Sequence, residues 1–318
     1  SVIARRLPAM QTSSHELPPA TWKPVRLSVR ALQLHYEGFL RTLRSRKPET
    51  RGTYERALRE FLRWFAHDKR CRFRIVDVER YKRHLTKRKR LSAASVSTYL
   101  TAVRLFCGYL VDVGVLEENP SSFVRGNERP RGHSRDPLTR ENVKKLLGVL
   151  NGEDERGVRD SLIARLMLRC ALSEIEIVRA NVGDISSRNG ATLLAVQGKG
   201  RSAKDEHITV PHEVLSFLDR YLVLRERVHP DDPLFVSAGK NRKGERMTTR
   251  AVRDRVNACL ERAGLRKRDN RTKITPYSLR HTAAVLMADE GATAEEIRHR
   301  MRLGTVETAK LYLHQDYH

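Results

Sequence analysis

The stretch TPYSLRHTAAVL, Thr275 to Leu286, sets Arg280 and His281 side by side at the start of an amphipathic helix. A guanidinium held there can fork onto two oxygens of one phosphate, where an ordinary surface arginine does no more than touch a nucleic-acid backbone. Lys199 lies in a Gly-Lys-Gly turn, a setting in which an ammonium is as often simply solvated as aimed at a ligand. Tyr312 stands near the end, in RLGTVETAKLYLHQ, and read alone it is a helix-face tyrosine. The 12 histidines form no HExxH pattern and no carboxylate cluster of ligand spacing, so neither a metal site nor a cofactor is expected.

Composition says what these residues would meet. The chain has 318 residues, enough for two domains that each bury a core. Lys and Arg number 62 against 38 Asp and Glu, a formal net charge of +24 with a pI near 10.5, and the excess runs through both halves. Phosphates neutralised by Lys and Arg release counterions, so a polyanion is the natural partner and a merely solvated basic surface the weaker reading. No apolar run near membrane-spanning length and no signal-peptide pattern is evident, so no membrane is expected. Cys71, Cys107, Cys170 and Cys259 are widely spaced without a CxxC pair and read as small core residues of a reducing, cytoplasmic compartment.

The positioning elements follow from periodicity. Residues 1–25 carry scattered prolines and no period, and read as an N-terminal arm. Residues 26–116 are helical throughout. Leu32, Tyr36, Phe39, Leu40 and Leu43 share one face, and Pro48 opens a second helix carrying Leu58, Phe61, Leu62 and Phe65. A third helix carries Val78, Tyr81 and Leu85, and a fourth opens at Ser92. Residues 117–136, EENPSSFVRGNERPRGHSRD, form a basic linker. From 137 a second domain begins with Thr139 as N-cap and Val143, Leu146, Leu147 and Leu150 inward. GATLLAVQGKGRSAKDEHITVP then reads as strand, turn and strand, and the rest as helices. The class is mainly α with a small β-hairpin or sheet.

Taken in order, PLTRENVKKLL, ALSEIEIVRANVGDI, the Gly-Lys-Gly hairpin, TPYSLRHTAAVLMADEGATAEEIRHRM and the terminal tyrosine segment resemble the catalytic domain of the tyrosine recombinase (phage integrase, Xer-like) family. The basic bundle before the linker is similar to that family's core-binding domain, so the resemblance runs from about Arg30 to Tyr312. It implies a tyrosine that attacks a DNA phosphodiester, giving a 3′-phosphotyrosine and a free 5′-hydroxyl, with the bond energy kept in the covalent link. By the same resemblance Tyr312 matches the nucleophile, Arg280 one clamp arginine and Lys199 the hairpin lysine that protonates the leaving oxygen. His281 stands where the family often has histidine and is expected to pack or hydrogen-bond locally rather than transfer a proton.

Three positions depart from the pattern. Counting back from Asp184 puts Ser173 where the family has its other clamp arginine, Tyr277 stands three residues before Arg280 in place of histidine, and Leu303 stands nine before Tyr312 in place of histidine or tryptophan. A lost charged donor to a developing oxyanion costs on the order of 3 kcal/mol, about a hundredfold in rate. The departures therefore imply severe impairment or a guanidinium supplied from elsewhere. Arg169, Arg179 and Arg201 are the candidates, Arg201 first because it shares the hairpin tip with Lys199. Tyr277 is expected to reach a phosphate oxygen and Leu303 to pack. Tyr317 offers a competing hydroxyl at a poorer spacing. Only LHQDYH follows Tyr312, so the family's subunit-coupling segment is either absent or lies beyond this sequence.

Two functions stay open. One is a site-specific recombinase or integrase of a mobile element with an altered phosphate clamp. The other is a catalytically weak or inactive DNA-binding accessory subunit of a recombinase complex. Both place the chain on double-stranded DNA at the nucleoid, with either further copies of itself, as dimer or tetramer, or other recombinase subunits. In both, two domains joined by a basic linker close around the duplex with mostly backbone contacts.

Overall fold

The computed structural model describes residues 25–68, 72–126, 136–198, 201–239, 243–267 and 273–313. Lys199, Cys71 and Tyr317 lie outside them. The protein divides into two compact units, Ser1–Arg131 and Gly132–His318, each with its own hydrophobic core. It is mostly helical, with one small antiparallel sheet among the described residues.

The first unit holds α1 (Val29–Thr42), α2 (Pro48–His67), α3 (Ile75–Arg83) and α4 (Ala93–Asp112). Their starts obey local chemistry: Ser28 and Ser92 accept the orphan N–H groups of Ala31 and Ser95, and Pro48 opens α2 with a preset φ. Asp77 caps α3 by accepting from the backbone N–H of Arg72 and Arg74, and it pairs with Arg80. The core is aromatic, with Phe61 and Tyr81 edge-to-face at 5.0 Å and Phe39 on Phe106 at 5.7 Å. By length and composition α4 is apolar enough to cross a membrane, contrary to the expectation of no such run. It is the central helix of this unit, with Val96, Leu100, Val103, Phe106 and Leu110 buried.

The described start of the basic stretch after α4, residues 117–126, packs on the first unit. Pro120–Phe123 forms a 3₁₀ turn capped by Asn119, and Leu116 and Val124 enter the core. Arg104 donates to the carbonyls of Ser121 and Val124, fixing the segment on α4. Two apolar residues spaced too widely to show a period suffice to hold it.

The second unit holds α5 (Arg140–Val149), α6 (Glu155–Arg169), α7 (Glu174–Arg179), β1 (Ile185–Arg188), β2 (Ala191–Val196), β3 (Glu206–Thr209), α8 (His212–Leu224), α9 (Thr249–Arg262), α10 (Pro276–Asp289), α11 (Ala294–Arg300) and α12 (Val306–Lys310). The sheet order is β1-β2-β3, antiparallel, with Leu194 opposite Ile185 on one side and Ile208 on the other. β2 and β3 are the expected hairpin; β1 adds an edge strand that four mostly exposed residues did not announce. Helices α6 and α10 are buried on nearly all sides and pack on each other at the centre. The Thr282 hydroxyl of α10 accepts from the N–H of Leu138, tying the start of the unit to this pair. Arg280 therefore belongs to a helix at the buried centre of the unit.

Candidate active site

Arg280 is 6 % exposed. Its guanidinium donates to the Glu176 carboxylate at 3.1 Å and to the carbonyls of Ala171 and Met301. Beside it lies a second guanidinium that no sequence motif announced. Arg302 donates from Nε to Glu176 Oε1 at 2.5 Å, and from Nη2 to Glu176 Oε2 at 3.1 Å and to the Ala171 carbonyl at 2.8 Å. Two arginines thus share one carboxylate and one carbonyl.

The acceptor set is built by α7, a helix of six residues that is too short to persist alone. Ser173 is its N-cap. The Ser173 N–H and hydroxyl donate to Glu176 Oε2 at 2.7 and 2.8 Å, closing a capping box. Arg253 grips Glu174 with two hydrogen bonds of 3.1 and 2.7 Å, anchoring α7 to α9. Arg246 donates to the carbonyls of Val178 and Ala180 at the other end. Two backbone positions in the cluster are left-handed without being glycine, Ala171 at φ 52° and Arg302 at φ 54°. Each such position costs about 1–2 kcal/mol, and strain of this kind persists where surrounding contacts over-determine it.

Tyr312 follows α12 and is 2 % exposed. Its hydroxyl lies 2.7 Å from Nδ1 of His281, and with the imidazole proton on Nε2 it is the hydroxyl that donates. Burial pushes the Tyr312 pKa up, the nearby Tyr277 adds to this, and the charge of Arg280 opposes it; burial wins. Tyr277 stacks edge-on over His281 at 4.7 Å and is 44 % exposed, so one phenol is sheltered and the other faces solvent.

The Glu176 carboxyl is pushed up by burial and down by the hydrogen bond and charge of Arg302, the charge of Arg280 and the Ser173 amide. The downward influences prevail and it stays ionised. Burial lowers the Arg280 pKa, with Glu176 opposing and Arg302 reinforcing the shift, yet a guanidinium starts so high that it keeps its charge. Cys170 borders the cluster, and burial raises its thiol to about 12, which leaves it inert as a nucleophile at neutral pH.

The structure thus brings Arg280, His281, Tyr277 and Tyr312 together. The three arginines expected to replace a guanidinium at Ser173 each have a partner, and Arg201 lies next to Gly198, beside the Glu176 carboxylate. Arg201 pairs with Asp205 at 3.0 Å and Glu206 at 3.5 Å, Arg179 donates to the Gly198 carbonyl, and Arg169 faces Glu213. Leu303 packs on the core, as expected of it. Among the described residues no group of three His, Cys, Asp or Glu is arranged to hold a metal ion.

The chain matches the Phage integrase family over residues 137–318 and the Phage integrase N-terminal SAM-like domain over residues 35–114. It belongs to the phage integrase family. It is 27 % identical over 301 residues to tyrosine recombinase XerC of Pelobacter propionicus, covering 92 % of each chain. Over 285 residues it is 25 % identical to XerC of Escherichia coli O157:H7, covering 89 % of this chain and 91 % of that one. The fold is similar to that of XerH recombinase bound to palindromic difH substrate in a post-cleavage complex (TM-score 0.70, 19 % identity, 90 % of this chain and 81 % of that). It is also similar to that of the Tn1549 transposon integrase in complex with transposon right end DNA (TM-score 0.68, 16 % identity, 89 % and 95 %).

Proposed function

We propose that this protein is a site-specific DNA recombinase or integrase of a mobile element, which breaks and rejoins DNA through a 3′-phosphotyrosine intermediate with an altered phosphate clamp. Tyr312 is the nucleophile, His281 accepts its proton, Arg280 binds the scissile phosphate and Lys199 protonates the leaving 5′-oxygen. Residues 26–116 are the core-binding domain, 117–136 the linker and 137–318 the catalytic domain. The partner is double-stranded DNA at the nucleoid, bound by two or four copies. The observation that carries this reading is the 2.7 Å contact between the Tyr312 hydroxyl and His281, one residue along α10 from the buried Arg280. A nucleophile whose pKa is raised needs a base in contact with it, and that contact is present.

A duplex nicked beside the scissile phosphate, so that the cleaved strand is lost, traps the covalent adduct. Its sequence comes from fragments the protein retains from DNA of its host. The expected result is an adduct on a denaturing gel with the wild type and none with Tyr312→Phe. His281→Ala is expected to slow adduct formation by about a hundredfold and to leave a rate that climbs with pH beyond 10, since tyrosinate must then form unaided.

Two observations favour the accessory-subunit reading: Tyr312 is 2 % exposed, and Leu303 brings no polar group to the site. Tight DNA binding without any adduct in the same assay would replace the first reading with this one.

A further inference from the structure

We propose that Arg302 is the second guanidinium of the phosphate clamp, binding the scissile phosphate together with Arg280 from the turn between α11 and α12. This rests on the strand-transfer reading above and names the residue that completes its site. Three observations carry it independently of one another.

The first is position. The Ser173 hydroxyl and Arg302 Nη2 both donate to the same oxygen, Glu176 Oε2, at 2.8 and 3.1 Å. The Arg302 guanidinium is therefore a neighbour of the side chain at 173. Ser173 itself is neutral and committed to capping α7.

The second is charge. Two guanidiniums face one carboxylate, with side-chain exposures of 8 % for Arg280, 5 % for Arg302 and 2 % for Glu176. The cluster keeps a net positive charge out of water, an arrangement that is unfavourable until an anion joins it. A purely structural ion pair would need only one arginine. Each guanidinium has five N–H groups, and the contacts made among the described residues use three of Arg280's and four of Arg302's. Both retain donors for an incoming oxygen.

The third is backbone and access. Arg302 holds a left-handed φ of 54° that glycine would adopt without strain. It also lines a cleft of about 380 Å³ with Arg169, Arg300, His207 and His299, among which Glu206 is the one acid. One edge of the Arg302 side chain, 5 % exposed, borders that cleft, whose lining does not include Arg280 or Tyr312.

The test has two arms. In the first, the unfolding temperature is followed against orthovanadate, a phosphate mimic, for wild type, Arg302→Ala, Arg302→Lys and the double variant Ser173→Arg/Arg302→Gly. The expected result is a rise for wild type and an apparent affinity weakened at least about tenfold in Arg302→Ala, because a charged donor is gone. Arg302→Lys should fall between them, and the double variant should recover most of the response. A wild type indifferent to orthovanadate, an Arg302→Ala response equal to wild type, or a double variant no better than Arg302→Ala would overturn the proposal.

The second arm uses the nicked duplex with either a phosphate or a neutral methylphosphonate at the scissile position. Arg302→Ala should form adduct about a hundredfold more slowly than wild type on phosphate and lose most of that deficit on methylphosphonate, which lacks the anionic oxygen a second guanidinium would bind. Equal deficits on the two substrates would mean that Arg302 only supports the fold. Should the wild type form no adduct on DNA that it binds, the strand-transfer reading fails, while the orthovanadate arm still decides whether Arg302 holds a phosphate.

Discussion

Glu176 is the residue on which the site turns, since both arginines and the α7 cap meet on it. Its folded pKa lies below the ordinary 4.5, so its ionised form stabilises the fold fully above about pH 4.5, and that contribution is lost as the pH falls through the folded value. Glu176→Gln should cost about 3–5 kcal/mol at pH 7, because it leaves two buried cations without their anion. The gap between wild type and variant should narrow as the pH drops below 4.5, which urea unfolding at a series of pH values would read. Ala171→Gly should act oppositely. Its left-handed φ of 52° suits glycine, and relief of strain should exceed the entropy lost by the unfolded chain, giving a gain of about 1 kcal/mol. The readout is a higher denaturant midpoint with an unchanged slope.

At the scale of elements, legibility tracked the reach of the forces involved. Ser92, Thr139 and Pro48 act within one helical turn, and each opens a helix where its chemistry says it should. The inward residues of α1 and α2 and the β2–β3 hairpin were equally plain from local period. Arg280, His281 and Tyr312 came from ordered motifs, and the fold brings them together. Arg302 was not legible: its acceptor Glu176 is 126 residues away, and in RHRMRLG it reads as one more surface arginine. The only local signal was an arginine where a helix end would favour glycine, two residues ahead of Gly304. Asp77 shows how much one such element can rest on a single side chain. At 2 % exposure it accepts from two backbone N–H groups and pairs with Arg80. Asp77→Ala should destabilise the first unit by about 3–5 kcal/mol. Both tryptophans of the chain precede residue 131, and Trp64 packs on Tyr81 at 5.1 Å. Tryptophan fluorescence during heating therefore reports that unit selectively.

For the whole molecule, the net charge of +24 sets how it finds its partner. Binding to random duplex should weaken about a thousandfold between roughly 50 and 200 mM salt, as expected for several phosphate contacts. An affinity indifferent to salt would sink the duplex-DNA reading. Such a protein spends most of its time on sequences that are not its target. With Tyr312 as the nucleophile, its burial then has a consequence for the genome it travels on. A hydroxyl shut inside the fold is out of reach of whatever phosphate drifts past. On the strand-transfer reading, a break then requires docked DNA to bring a phosphate and that hydroxyl together, and chance encounters along a chromosome leave no nick.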